Sequence, residues 1–154
     1  MAITKSNVTA LSKLDGPAEQ KREILKVLGD LKQYELLDDE CLLATYVESN
    51  VLSEVRRADG EIVKLYGTEN RATESRYQSK AFLLVKSGPT AFRYHNNGQA
   101  YEGIVPTVGD WVVIHSADGR ELFLGDTKAD TGVSCRRIKW DRIFMRVADP
   151  RAVH

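Results

Sequence analysis

Apolar residues in this chain fall mostly into short, nearly unbroken runs: Cys41-Leu-Leu-Ala-Thr-Tyr-Val47, Ala81-Phe-Leu-Leu-Val85, Trp111-Val-Val-Ile114, Glu121-Leu-Phe-Leu124 and Ile143-Phe-Met-Arg-Val147. Each is too short for a helix, is rich in β-branched or aromatic residues or bounded by Gly, Asp or Pro, and so reads as a strand. The most tightly specified stretch is Pro106-Thr-Val-Gly-Asp-Trp-Val-Val-Ile114. Pro106 cannot donate to a sheet ladder, Gly109 beside Asp110 makes a tight turn, and the strand follows at once. Asp118-Gly119 then predicts a hairpin that joins Trp111–His115 to Glu121–Leu124. Val133-Ser-Cys-Arg-Arg-Ile-Lys-Trp140 alternates only in part and supplies a further strand.

One segment has the helical period instead. After Asp15-Gly-Pro17, a helix start signal, Ile24, Leu28 and Leu31 recur on one face with Leu25 alongside, while Glu19, Lys21, Arg22 and Lys26 face away. The spacing predicts a helix over 17–28, which Gly29 can end, although Leu31 on the same stripe suggests another half-turn, to 31. A helix this short is marginal alone, so its stripe must pack on the rest of the chain or on a neighbouring subunit. Residues 1–14 read as a polar arm, Tyr34-Glu-Leu-Leu37 as a short extended piece, and 94–103 as turn-rich chain without regular structure. Residues 48–80 read as a long polar loop around one apolar island, Ile62-Val-Lys-Leu65; loops of such length tend to be functional or disordered. The expected organisation is an arm and helix (1–33), an all-β barrel with long loops (34–148) and a tail (149–154).

Charge sharpens this picture mainly by exclusion. Lys plus Arg number 22 and Asp plus Glu 22 in 154 residues, so no global field draws the chain to nucleic acid or anionic lipid. No run approaches a membrane span, and no basic-then-apolar leader opens the chain. The two cysteines, Cys41 and Cys135, lie inside apolar runs with no metal-binding or redox spacing, and read as buried free thiols in a reducing compartment. His95, His115 and His154 lack the i, i+3 or i, i+4 spacing that aims two imidazoles at one ion. Cys135 and His115 could meet across a sheet, but a strand cysteine reads as inert core. No metal, cofactor or catalytic set is therefore expected. The best local case for nucleic acid is Arg136, Arg137, Lys139, Arg142 and Arg146 interleaved with Trp140 and Phe144. That pattern also suits the wet face of a final strand, and it would bind a single strand only with both rings exposed beside the cations.

The order of these features resembles the GroES-like co-chaperonin family. Ala58-Asp-Gly-Glu-Ile-Val-Lys-Leu65 is similar to its mobile loop, Leu83-Leu-Val-Lys-Ser-Gly88 to the strand and turn that follow, Val108-Gly-Asp-Trp-Val-Val-Ile114 to its Val-Gly-Asp strand entry, and Trp140-Asp-Arg-Ile-Phe-Met-Arg-Val147 to its last strand. The resemblance covers roughly residues 40–147 and implies a small β-barrel whose loop docks on a chaperonin ring. Lys64 interrupts the aliphatic run, Glu61 precedes Ile62, and the helix is longer than the family's own. Gly88-Pro-Thr-Ala-Phe92 and the Asp149-Pro-Arg-Ala-Val153 end are more similar to GroES-like proteins of tailed bacteriophages. The resulting expectation is a non-enzymatic virion protein, assembled in the host cytoplasm, that stabilises the capsid or the head–tail neck. Its partners would be copies of itself and capsid or neck proteins, gripped through Ile62, Val63, Leu65, Ile24, Leu28, Leu31, Ile143 and Phe144. A co-chaperonin that caps a host chaperonin ring is the alternative, and a single-strand binding barrel the third reading.

Overall fold

The computed structural model describes residues 16–29, 31–47, 51–66, 80–125 and 133–153. The arm, residues 1–14, and Asp15 lie outside them. The helix α1 spans Pro17–Leu28 and is followed by a 3-10 turn at Leu31–Gln33. Eight strands succeed it: β1 (Glu40–Thr45), β2 (Val51–Arg56), β3 (Ile62–Tyr66), β4 (Ala81–Ser87), β5 (Trp111–Val113), β6 (Arg120–Leu124), β7 (Val133–Lys139) and β8 (Met145–Val147). Six form one antiparallel sheet in the order β6-β7-β1-β4-β5-β8, while β2 and β3 pair only with each other. Among the described residues the large sheet does not close. Its edges are β6 and β8, so the architecture of the described residues is an open β-sheet with one α-helix.

The unbroken apolar runs follow from burial on both faces. Leu42, Ala44, Leu83, Val85, Trp111, Val133 and Cys135 join Ile24 and Leu28 of α1 in one core. Cys41, Leu43, Phe82, Leu84, Val112, Ile114 and Ile138 form the second, under Phe92 and Trp140. Successive side chains point to opposite faces, so a strand covered on both sides must be apolar at every position. The register between β1 and β4 slips after Leu42, which places Val85 and Lys86 on the helix side together. Val85 packs into that core. Lys86 donates to the carbonyls of Leu31 and Tyr34, and so ties down the end of the 3-10 turn.

The predicted hairpin at Asp118-Gly119 is corrected. The turn exists, with Asp118 N donating to His115 O at 3.0 Å, but β5 and β6 do not pair. Both edges of β5 are already taken, by β4 and β8, so the chain crosses to the far side of the sheet and β6 pairs with β7. Arg136 of β7 fixes this crossing. Its Nη1 donates to the carbonyls of Ser116 and Asp118, and its guanidinium lies 5.1 Å from the Phe82 ring. Burial pulls the Arg136 pKa down, while the Glu121 and Asp118 carboxylates pull it back up.

The long polar loop expected over 48–80 is likewise corrected, since it contains the β2–β3 hairpin. Its tip is closed by Arg57 N to Glu61 O at 2.7 Å, Gly60 N to Arg57 O at 2.9 Å and Glu61 N to Asp59 Oδ1 at 2.9 Å. Gly60 sits at φ 87, which explains the glycine at that position. Within the described stretches of this segment, the polar residues at the tip are turn residues of a hairpin.

Candidate functional site

An exposed apolar surface lies at the β8 edge of the sheet. The segment after β4 folds back over the second core. Phe92 is held at φ 61, an unusual conformation for an aromatic residue, with its ring 5.4 Å from Trp140 and 6.1 Å from Tyr101. Tyr101 Oη donates to Ile104 O at 2.6 Å, which sets the path of the chain toward Pro106. Ile143 and Phe144 then lead into β8. These pieces enclose a groove of about 300 Å3 lined by Phe92, Tyr101, Ile104, Pro106, Phe144 and Met145, with Ile143 at its base and Arg146 at its rim. Ile104 is 70% exposed, Phe144 54% and Met145 51%. Three large apolar side chains thus stand exposed around one groove, beside a strand whose outer hydrogen-bonding edge is unpaired among the described residues.

The turn that leads into β5 is rigid. Asp110 Oδ2 accepts from Thr107 N at 2.9 Å and lies 3.4 Å from Arg146 Nη1. The Thr107 backbone hydrogen bond, aided by Arg146, holds the Asp110 carboxyl below its ordinary value. Its contribution to folding is therefore present above the unfolded carboxyl pKa and is lost as pH falls. Lys21 of α1 donates to Gly109 O at 2.8 Å, so the helix also braces this turn.

A second surface lies beside the start of β1. Tyr34–Leu37 belongs to no helix or sheet, and its side chains alternate half-buried, exposed, half-buried, exposed, as on a strand. Leu37 is 86% exposed, more than any other large apolar residue described, and is flanked by exposed Glu35 and Asp38.

The residues expected to bind partners divide into distinct groups. Ile24 and Leu28 are buried inside the chain's own core, and Leu31 packs against that core; the helix stripe meets the sheet rather than a neighbour. As partner contacts, Ile24 and Leu28 are thus corrected, because no surface of either remains to be covered. Phe144 is exposed on the groove at the β8 edge, which Ile143, half-buried, also lines. Ile62 is exposed at the base of the hairpin tip, while the side chains of Val63 and Leu65 lie outside the described residues. Leu37, Ile104 and Met145 were not singled out by sequence. The available signal was Leu37 at the outward position of an alternating tetrad and Ile104-Val105 set just before a proline.

Compared with models of known protein families and with curated proteins, the chain matches none.

The chemistry-bearing residues do not converge. Cys135 lies in the helix-side core, whereas His115 is exposed with its ring 5.1 Å from Phe144. Cys41 lies in the opposite core from Cys135, and both are free thiols. Burial pushes the Cys41 thiol up to about 11, with a Ser87 hydrogen bond working against the shift, and pushes Cys135 up to about 12. Both are thus protonated and shielded at neutral pH, and labelling by a disulfide reagent should be limited by unfolding. A thiol raised by folding favours the folded state fully below the ordinary thiol value of 9.0, and that contribution fades as pH climbs toward 11. Urea midpoints should accordingly fall above about pH 9, and less so in Cys135→Ala. Rapid labelling of the folded chain near neutral pH would contradict the burial of both thiols.

Among the described residues no group of three or more His, Cys, Asp and Glu could hold a metal ion, and no helix is long and apolar enough to cross a membrane. The basic cluster of the last strands is largely used within the chain. Arg137 pairs with Glu40 at 2.8 Å, Lys139 lies 3.7 Å from Asp39, and Arg136 is buried. Trp140 is only 4% exposed, so of the two rings the single-strand reading required, Phe144 alone is accessible.

Proposed function

We propose that the protein is a non-enzymatic structural subunit that assembles with copies of itself within a bacteriophage particle. The observation that carries self-assembly is the complementarity of two unlike surfaces. One is the acidic stretch Glu35–Leu37, which lies outside the sheet with Leu37 outermost and is anchored at its ends by Lys86 on the Tyr34 carbonyl and Thr90 on Asp38; the other is the β8 edge, open among the described residues, with Arg142, Phe144, Met145 and Arg146 exposed along it. The main chain of such a strand-like stretch, between its anchored ends, can add to an open edge through hydrogen bonds, with an apolar side chain in the adjoining groove and opposite charges around it. Because the two patches differ, the contact is heterologous and generates a ring or a filament. The order of motifs similar to GroES-like proteins of tailed phages supports placing such an assembly on the capsid or neck.

Sedimentation velocity tests the assembly. Leu37→Asp and Phe144→Asp should each weaken association by about 10-fold to 100-fold, the loss expected for one buried large apolar side chain, while leaving the fold intact. Sedimentation identical to that of the unaltered protein would remove this reading. Mass spectrometry of purified virions tests the location, since a structural component must be abundant there.

The β2–β3 hairpin favours the alternative, a cap on a chaperonin ring, because a two-stranded sheet that pairs with no other described strand and exposes Ile62 gains stability from a partner. Ile62→Ser together with Val63→Ser should leave thermal unfolding and self-association nearly unchanged and weaken binding to the particle. Normal particle binding with lost capping of a chaperonin would instead assign the hairpin to the alternative, and early unfolding would make it part of the folded core.

A further inference from the structure

We draw no further inference here: the strongest candidate, the 490 Å3 hollow between the first turn of α1 and the end of β8, has its charged groups Lys21, Asp110 and Arg151 already bonded to Gly109, Thr107 and Asp149, and nothing in the structure shows what covers it.

Discussion

Gly88→Ala is expected to destabilise the fold by roughly 3 to 5 kcal/mol, at the upper end of what a single methyl group does by overpacking. A Cβ at this position would lie 2.0 Å from the Asp38 carbonyl oxygen and 2.9 Å from that of Glu40. Both neighbours are backbone atoms, so no side-chain rotamer relieves the clash. Nor is the opposing chain free to retreat. Gly88 N donates to Glu40 O at 2.8 Å, Thr90 N to Asp38 O at 3.3 Å, and Trp140 N to Asp39 O at 3.2 Å. Thr90 Oγ1 adds a bond to Asp38 Oδ1 at 2.9 Å. Residues 38–40 lead directly into β1, a central strand, so a shift there would propagate to the pairings with β4 and β7. For a domain of this size the loss corresponds to a fall in melting temperature of roughly 6 to 20 °C. Gly16→Ala is the control, since a Cβ there meets nothing within 4 Å. Melting by circular dichroism separates the two. A Gly88→Ala protein that melts within the error of the native one would mean that this close approach does not exist in solution.

Gln20→Leu should cost roughly 2 to 5 kcal/mol, because it strands two buried backbone groups at about 1 to 3 kcal/mol each, less a small gain from added apolar burial. The ladder hydrogen bonds of β1 run out near Thr45, yet the chain continues through Val47 in the core. Gln20 of α1 takes the place of a strand there. Its Nε2 donates to Val47 O, and its Oε1 accepts from Val47 N at 3.1 Å. The side chain is 1% exposed, so water cannot substitute for the amide. Gln20→Glu keeps the acceptor for Val47 N–H but sets a second oxygen against Val47 C=O, and should be worse at neutral pH than in acid. Urea unfolding should show a lowered midpoint with an unchanged slope, and the Val47 amide should exchange faster in Gln20→Leu. A loss below about 1 kcal/mol would show that packing, and not the amide pair, holds the helix to the sheet.

Each of these positions sits on a feature visible in the sequence but not interpretable from it. Gln20 is four residues before Ile24 and eight before Leu28, on the apolar stripe itself, where a polar residue invites the question of its partner. Sequence supplied no answer, because the partner is the backbone of a residue 27 positions away. Gly88 beside Pro89 announced a turn; that the glycine is required by the approach of another chain segment is a tertiary fact. The same holds for Leu37. Its place in an alternating tetrad marks one of two neighbouring leucines as outward, but which face stays uncovered is decided only when the sheet is assembled.

Local pattern by itself determined the helix over 17–28, the presence of strands in the runs 41–47, 81–85 and 111–115, which the structure has at Glu40–Thr45, Ala81–Ser87 and Trp111–Val113, and the burial of both cysteines, since each rests on residues close in the chain; the further half-turn suggested by Leu31 is instead a separate 3-10 turn. Burial of β1 and β4 on both faces was legible as unbroken apolar runs. Pairing was not. Asp118-Gly119 favours a turn whatever lies on either side, and the partner of β5 was decided by competition: β4 and β8 cover its two edges with Trp111, Val112 and Val113 in register. The hairpin within 51–66 escaped for the converse reason, because its polar tip resembles loop composition and its strands pair with no other described strand. The groove at the β8 edge depended on tertiary structure most of all. Phe144 was legible as an apolar residue beside arginines, but Ile104, Met145 and the open edge of β8 meet only when a strap between β4 and β5, the last strand and the order of the sheet bring them together, and exposure is a property of that arrangement rather than of any residue in it.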